Sequence, residues 1–505
     1  MPKLRQNVQK LAAKVKKAVT LPVKIPLRFI RSARNKVLQS RIFNGEQNSL
    51  LSALKNQEIR KKLLFTLGII IVYRLLSAVP IPGIDIKLFN EVFGNSSLNS
   101  LFTVVTGGRL DQPSVVAIGL GAYINASIII QMLTTVIPKF EELSKEGEHG
   151  KRVLNMYTRF LSVPLTVIQA IVIYTVLKSA PAQSPELAGL LANITTFDVV
   201  TMIAALTAGS IILMWLAELI EEYGIGNGSS IIIMISILSI MPSLINTDFA
   251  FIAKDFKLLI ENGNLNVLIN ENFMLVYAIL LGLFILIGGI VFITEATRKV
   301  TIQYARRFRG NGVAQDSYLP LKINQAGVMP VIFAFAMLTF PQIIGQILAT
   351  IQNTDSIFYK IGDFINNSFL GARTSLISDS LIKYQLVLFI LIFAFSFFYT
   401  FVVFKPKETA DNLKKSGGFI PGIRPGVETE KYITKILIRL TTVGGIFLAV
   451  IAIIPNLVQA TPQGATLTLF RGIGGTSLLI VVGVILDTMR RMKSLAVTRS
   501  YDQYR

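Results

Sequence analysis

Long, nearly uninterrupted apolar runs alternate with charged or Pro/Gly-rich breaks along most of the chain. They fall near residues 62–81, 117–138, 157–178, 197–220, 229–246, 273–295, 326–350, 384–404, 433–455 and 472–489. A helix needs roughly 20 apolar residues to cross about 30 Å of hydrocarbon, so the pattern predicts ten membrane-spanning helices. A further apolar stretch at 97–116 is too short to cross and is broken by Thr106-Gly107-Gly108 and Asp111-Gln112-Pro113. It reads as a re-entrant segment.

Composition agrees with this pattern. Hydrophobic residues make up 52% of the chain and the mean hydropathy is +0.58, well beyond what a soluble core requires. The formal net charge of +21 must therefore lie outside the bilayer, and its distribution sets the orientation. Lys139, Lys145, Lys151 and Arg152 follow the second span; Arg298, Lys299, Arg306, Arg307 and Arg309 follow the sixth. Lys405, Lys407, Lys414, Lys415, Arg424 and Lys431 lie between the eighth and ninth, and Arg490-Arg491 opens the tail. The connections at 82–116, 179–196, 247–272, 351–383 and 456–471 carry fewer cations, mostly balanced by Asp or Glu. An even number of spans with both termini on the basic, cytoplasmic side follows. The acidic turn at Glu221-Glu222 is the exception on that side.

Residues 1–45 hold many lysines and arginines and no acid before Glu46. Leu4, Val8, Leu11, Val15 and Val19 recur at near-helical spacing, which suits an amphipathic helix on anionic lipid or a contact with ribosomal RNA. A solvated tail is the plainer reading. The first long apolar run begins only near Lys62, which argues against a cleaved secretory signal.

The chain contains no cysteine, which excludes disulfides, thiolate metal sites and a cysteine nucleophile. It has no phosphate-binding loop, no His-Glu-x-x-His pair and no nucleophile elbow, and its one histidine, His149, falls in a charged loop. No enzyme and no cofactor are expected. Arg74, Glu218, Glu295 and Asp487 lie near span ends, where each can reach the interface or pair with a neighbour. Thr207, Gly209 and Ser210 read as close packing. Asn125 and Gln131 stand out more, because an amide in hydrocarbon needs a partner on another helix or water in a cavity.

The loops 296–325 and 405–432 are long, basic and rich in Gly and Pro, and read as docking surfaces. In Gly422-Ile423-Arg424-Pro425-Gly426 an arginine stands between two turn-forming pairs. Either it points outward to a partner, or it is tied to a nearby carboxylate.

A set of motifs then carries a resemblance. Ile81-Pro82-Gly83-Ile84-Asp85, Ala126 to Gln131, Lys145-Glu146-Gly147-Glu148, Gly224-Ile225-Gly226-Asn227-Gly228, Leu319-Pro320-Leu321-Lys322, Glu408 to Gly417, Gly422 to Gly426 and Gly474 to Ile480 occur in order between about residues 50 and 495. Together they resemble the SecY family, the channel subunits of the bacterial protein-translocation complex. The resemblance implies an all-α membrane bundle of ten transmembrane helices, in two inverted five-helix halves around an hourglass pore. It divides the chain into an arm (1–50), an N-terminal half (51–246), a C-terminal half (247–489) and a cytoplasmic tail (490–505). Its pore ring would be Leu120, Ile124, Ser229, Ile233, Ile332 and Ile480, with Ser229 standing where the family commonly has another aliphatic. An apolar ring can seal around any sequence and dewets when empty. The plug would centre on Val104, Val105, Gly107 and Gly108, and the lateral gate would carry Asn125, Gln131, Asn324 and Phe340. Arg306, Arg307 and Arg424 would dock the SecA motor or a ribosome, although Arg309-Gly310-Asn311-Gly312-Val313 is a shorter, less basic tip than the family pattern. Implied partners are SecE, SecG, SecA, the ribosome, anionic lipids and unfolded polypeptides, with no metal. The implied location is the bacterial plasma membrane. Rival readings are a small-solute secondary transporter, which lacks a midplane charge constellation here, a ribosome-docking scaffold, and an accessory paralogue within the family.

Overall fold

In hydrocarbon a backbone N–H or C=O has no water to bond, so an apolar run satisfies itself as a helix. In a computed structural model that describes residues 56–83, 114–179, 195–239, 242, 271–304, 317–349, 360, 379–459 and 475–502, every predicted span overlaps a helix. These helices are α1 (Gln57–Ser77), α2 (Gly121–Val136), α4 (Glu148–Ser179), α5 (Thr196–Tyr223), α6 (Gly228–Ser239), α7 (Glu271–Glu295), α8 (Met329–Ala349), α9 (Asp379–Val403), α11 (Val427–Gln459) and α12 (Gly475–Asp502). Two shorter helices, α3 (Pro138–Lys145) and α10 (Pro406–Lys415), lie on the basic side. Among the described residues Glu148–Thr175, Thr196–Tyr223, Ile382–Lys415 and Val427–Ile454 are each long and apolar enough to cross a membrane alone.

Several helices overrun their apolar runs at the basic side. The helix α4 starts at Glu148, which places His149 in its first turn and not in a loop, and α12 continues to Asp502. Hydropathy marks the part of a helix that lies in lipid, whereas hydrogen bonding carries the helix on into water. Between α2 and α3 the chain turns by 101°. Ile137 is extended there (φ −101°, ψ 117°) and Pro138 opens the next helix, since proline fits a first turn but breaks a continuing one. A Lys145–Glu141 ion pair holds α3. It lowers the pKa of the Glu141 carboxyl and raises that of the Lys145 ammonium, chiefly through their shared hydrogen bond.

The all-helical expectation describes the membrane part; the basic loops add a small sheet. Strands β1 (Thr297–Tyr304) and β2 (Ser317–Lys322) form an antiparallel hairpin, and β3 (Gly418–Phe419) pairs with the far end of β1, giving the order β2-β1-β3. Val300 and Ile302 alternate inward along β1, the period-2 pattern of a half-buried strand. Val300 joins Leu321, Ile420, Ile433, Ile436 and Leu437 in an apolar cluster under the sheet. The two loops are thereby one body, seated on the first turns of α11.

Residues 62–491 form one compact unit. The second comprises 1–61 and 492–505, of which the described parts are the first residues of α1 and the last turns of α12. Large side chains point out of the first unit: Phe160, Phe197, Phe284 and Phe292 are at least 70% exposed. Such a surface would be a liability in water and is the expected one against lipid.

Candidate functional site

Two apolar clusters fill the membrane part of the bundle. One draws on α1, α2, α5, α6 and α12, with Ile69, Leu120, Leu213, Ile220, Ile231 and Val484 at its centre. The other is built chiefly from α8, α9 and α11, around Val331, Ile332, Phe333, Leu338, Leu388 and Ile392. Leu120 and Ile233 belong to the first cluster and Ile332 to the second, while Ile124 and Ile480 pack against both. Of these five aliphatic side chains, from four helices and the turn before α2, Ile124 and Ile480 join the two clusters.

Ser229 is a different kind of neighbour. Its hydroxyl donates to Asn227 Oδ1 at 2.6 Å, and the same oxygen accepts the Ser230 N–H at 2.9 Å. Asn227 therefore caps α6 in the manner of a helix N-cap, and the Ser229 hydroxyl is engaged in that cap. The Gly224–Gly228 motif prepares this start. Gly226 has φ +105°, and a Cβ on Gly228 would overlap the Ala217 carbonyl of α5. Ile225 N–H donates to Thr66 Oγ1 of α1 at 3.2 Å. The motif is thus a piece of backbone engineering at the foot of the helix that carries Ile233.

The helix α8 packs on α2 and α4, and the amides Asn125 and Gln131 lie on α2. Asn125 is 3% exposed and its Oδ1 has no hydrogen-bond partner; Gln131 Oε1 is likewise buried and unpartnered. Gln169 of α4, 3% exposed with an unpartnered Oε1, is a third such group that the sequence reading passed over. It lies inside a long apolar helix, where the criterion that singled out Asn125 applied equally. Asn324 is buried too, but its Nδ2 donates to the Gly327 carbonyl at 2.9 Å, closing the turn before α8. Phe340 lies in α8, and its side chain is outside the described residues.

Val104, Val105, Gly107 and Gly108 also lie outside the described residues. The segment that follows them, from Ser114 to Leu120, threads against α5. Ser114 bridges to Pro80, Ser210 Oγ donates to the Gly119 carbonyl at 3.0 Å, and a Cβ on Gly209 would overlap the Val115 carbonyl. Gly209 and Ser210 are packing residues, as their size suggested, but they pack on a turn and not on a helix.

On the basic side Arg424 is exposed and makes no ion pair with a described residue. Gly422 and Gly426 flank it with φ of +81° and +101°, and its carbonyl accepts the Thr429 hydroxyl at 2.9 Å. Its backbone is fixed and its guanidinium is unclaimed by any carboxylate there. Arg306 and Arg307, which follow β1 in sequence, lie outside the described residues. Of the four ionisable groups expected near span ends, three are paired, Glu218 with Arg159 at 2.6 Å, Glu295 with Arg490 at 2.9 Å and Asp487 with Arg491 at 3.1 Å, and Arg74 is exposed. Among the described residues no cluster of His, Cys, Asp and Glu is arranged to hold a metal ion.

Helices long and apolar enough to cross a membrane, two apolar clusters joined at Ile124 and Ile480 and a lipid-facing aromatic surface place the chain in the class of polytopic helical membrane proteins. Comparison with known proteins makes the class specific. The SecY family model matches residues 114–489. A protein translocase subunit SecY from Mycobacterium bovis is 36% identical over 90% of this chain and 99% of its own length. One from Streptomyces coelicolor is 39% identical over 90% and 98%. Among solved structures, one of a protein-conducting channel aligns with a TM-score of 0.60 at 19% identity, over 87% of this chain and 93% of its own. Sec61 in a canine ribosome–channel complex aligns with a TM-score of 0.58 at 19% identity, over 86% and 92%. The chain belongs to the SecY family.

Proposed function

We propose that this chain is the protein-conducting subunit of a Sec translocase. Unfolded polypeptides pass along the junction between its two halves, and apolar segments leave sideways between α2 and α8. The observation that supports the reading is that Ile124 and Ile480 pack against both apolar clusters, and the ring is completed by Leu120 and Ile233 from the first cluster and Ile332 from the second. A seal for a polypeptide of any sequence must make no specific hydrogen bond and must exclude water and ions when empty, and aliphatic side chains do both. Ser229 borders this ring with its hydroxyl engaged in the α6 cap, so the ring there relies on its neighbours. Residues 97–116 with Val104, Val105, Gly107 and Gly108 close the pore from outside as the plug.

The buried amides Asn125, Gln131 and Gln169 make the seam sensitive to what lies beside it. An unpartnered amide oxygen costs about 1–3 kcal/mol when buried, and opening the seam lets it reach water or substrate backbone. Asn324 and Phe340 complete the gate on the α8 side. Arg424, with Arg306 and Arg307, forms the docking face for a motor of the SecA type or for a ribosome, and small membrane subunits of the SecE and SecG type brace the bundle. The chain lies in a bacterial plasma membrane with both termini cytoplasmic, and its basic arm meets anionic lipid or ribosomal RNA.

The natural chain is free of cysteine, so an Ile233→Cys variant gives a clean probe. In reconstituted complex with its brace subunit and motor, it is expected to form a disulfide with a cysteine in an arrested secretory chain only when ATP is present. An engaged chain that crosslinks elsewhere but never at 233 would sink the pore assignment.

A further inference from the structure

The cytoplasmic end of α12 holds a group of charges that the reading above leaves unused. Arg490 reaches across to the last residues of α7: its Nη2 donates to the Thr294 carbonyl at 2.7 Å and to Glu295 Oε1 at 2.9 Å, with Nε on the same carboxylate oxygen at 3.2 Å. These residues run directly into β1. Across the hairpin root, Ile323 N–H donates to the Ala296 carbonyl at 3.0 Å, and Thr297 stands opposite Lys322 in the register. Lys322 sits partly buried between the same groups. Burial and the nearby Arg490 lower the pKa of its ammonium, while Glu295 and Asp487 act in the opposite sense. The root of β1 is thus held to α12 by Arg490, and the root of β2 is tied to that of β1 by the Ile323–Ala296 bond.

The same helix is in firm contact with the centre of the bundle. A Cβ on Gly483 would overlap Val328 at the start of α8, and one on Gly226 would stand 3.3 Å from Thr488 Oγ1. Ile480 packs on both apolar clusters. It lies ten residues before Arg490, a helical rise of about 15 Å. Packed helices shift as rigid elements and do not bend continuously, so a displacement at one end of α12 appears at the other.

We propose that Arg490 is a positioning residue that couples the cytoplasmic hairpin to the pore. It fastens the hairpin root to α12, so that a partner pressing on the hairpin moves Ile480 and loosens the seal. The proposal rests on the hairpin being a docking surface and Ile480 part of the ring. A rival role is simple capping, since an arginine on the last carbonyls of a helix is favourable in itself. Capping alone would alter stability and leave the link between docking and opening intact. The ion pair is only part of the hold, because Glu295 is 52% exposed and such a pair contributes little alone; the bond to the Thr294 carbonyl fixes the geometry.

The test is ion current through planar bilayers holding the reconstituted complex, measured with and without saturating motor and ATP and an arrested substrate. Motor affinity is measured in parallel. Arg490→Ala is expected to keep motor affinity within about twofold while the motor-dependent current falls at least about fivefold, the lower end of ordinary coupling between sites. Arg490→Lys keeps the charge but not the fork and is expected to fall between alanine and wild type. Arg490→Glu combined with Glu295→Arg restores the ion pair but not the bond to the Thr294 carbonyl, and should stay well below wild type. Motor-dependent current unchanged in Arg490→Ala would overturn the coupling. So would a loss of current that merely follows a loss of motor affinity, which would make Arg490 a support for the docking surface. A wild-type complex that shows no motor-dependent current would overturn the channel reading itself, and the coupling with it.

Discussion

Gly209 has no room for a methyl group, because the Val115 carbonyl of the neighbouring turn occupies the space a Cβ would need. Gly68 in α1 has nothing within 4 Å of that position. The two glycines make a paired experiment. Gly209→Ala is expected to destabilise the protein by about 1–3 kcal/mol, as overpacking does. Gly68→Ala should be neutral or stabilise by up to about 1 kcal/mol through helix propensity. Thermal unfolding in one detergent, followed by tryptophan-independent circular dichroism, reads both. Asn227 is a third residue of this kind, since its Oδ1 accepts from both Ser229 and Ser230. Asn227→Ala removes the cap and should cost about 1 kcal/mol.

At the scale of elements, the seam between α2, α4 and α8 was partly legible and partly not. Asn125 and Gln131 stood out because amides are rare in apolar runs, and Gln169 was visible by the same rule. The bond from the Asn324 amide to the Gly327 carbonyl could not be read from sequence, because that contact exists only once the turn has folded. Asn125→Leu is predicted to hold the seam shut more firmly. At about 0.5 kcal/mol per leucine on the insertion scale and about 1 kcal/mol for the lost amide, half-insertion of a test segment should need about two more leucines. A glycosylation-mapped insertion series checks this, and an unchanged or lowered threshold would contradict it. The docking face invites a second experiment. Arg424→Glu leaves the flanking turns intact, so the fold should be unaffected while motor binding weakens, most strongly at low salt.

Among the described residues, the two apolar clusters of the membrane part share Ile124 and Ile480. On the proposed pore ring, a polar side chain at that junction gives water a foothold in the seal. Ile480→Asn is therefore expected to raise ion leak through idle complexes above wild type, with Ile446→Asn on the exposed face of α11 as the control that should not. Ion flux from loaded vesicles distinguishes them. Equal leak from both variants would mean that the effect is general destabilisation and not loss of a seal.

The sequence by itself determined the ten apolar runs, the basic face and the absence of catalytic chemistry, because hydropathy, charge asymmetry and residue inventory are local properties that lipid and water read directly. It also carried the family motifs, in which Gly83, Gly147, Gly226, Gly417, Gly422 and Gly426 form left-handed turns and Gly228 permits a close approach. Tertiary structure alone decided what those runs do to one another. The hairpin and its third strand join loops about a hundred residues apart, and the hydroxyl of Ser229 is turned to its own helix cap. Arg490 meets Glu295 across 195 residues of chain. Each of these depends on which distant surfaces touch, and an apolar run that must simply avoid water in a bilayer carries almost no record of its neighbour.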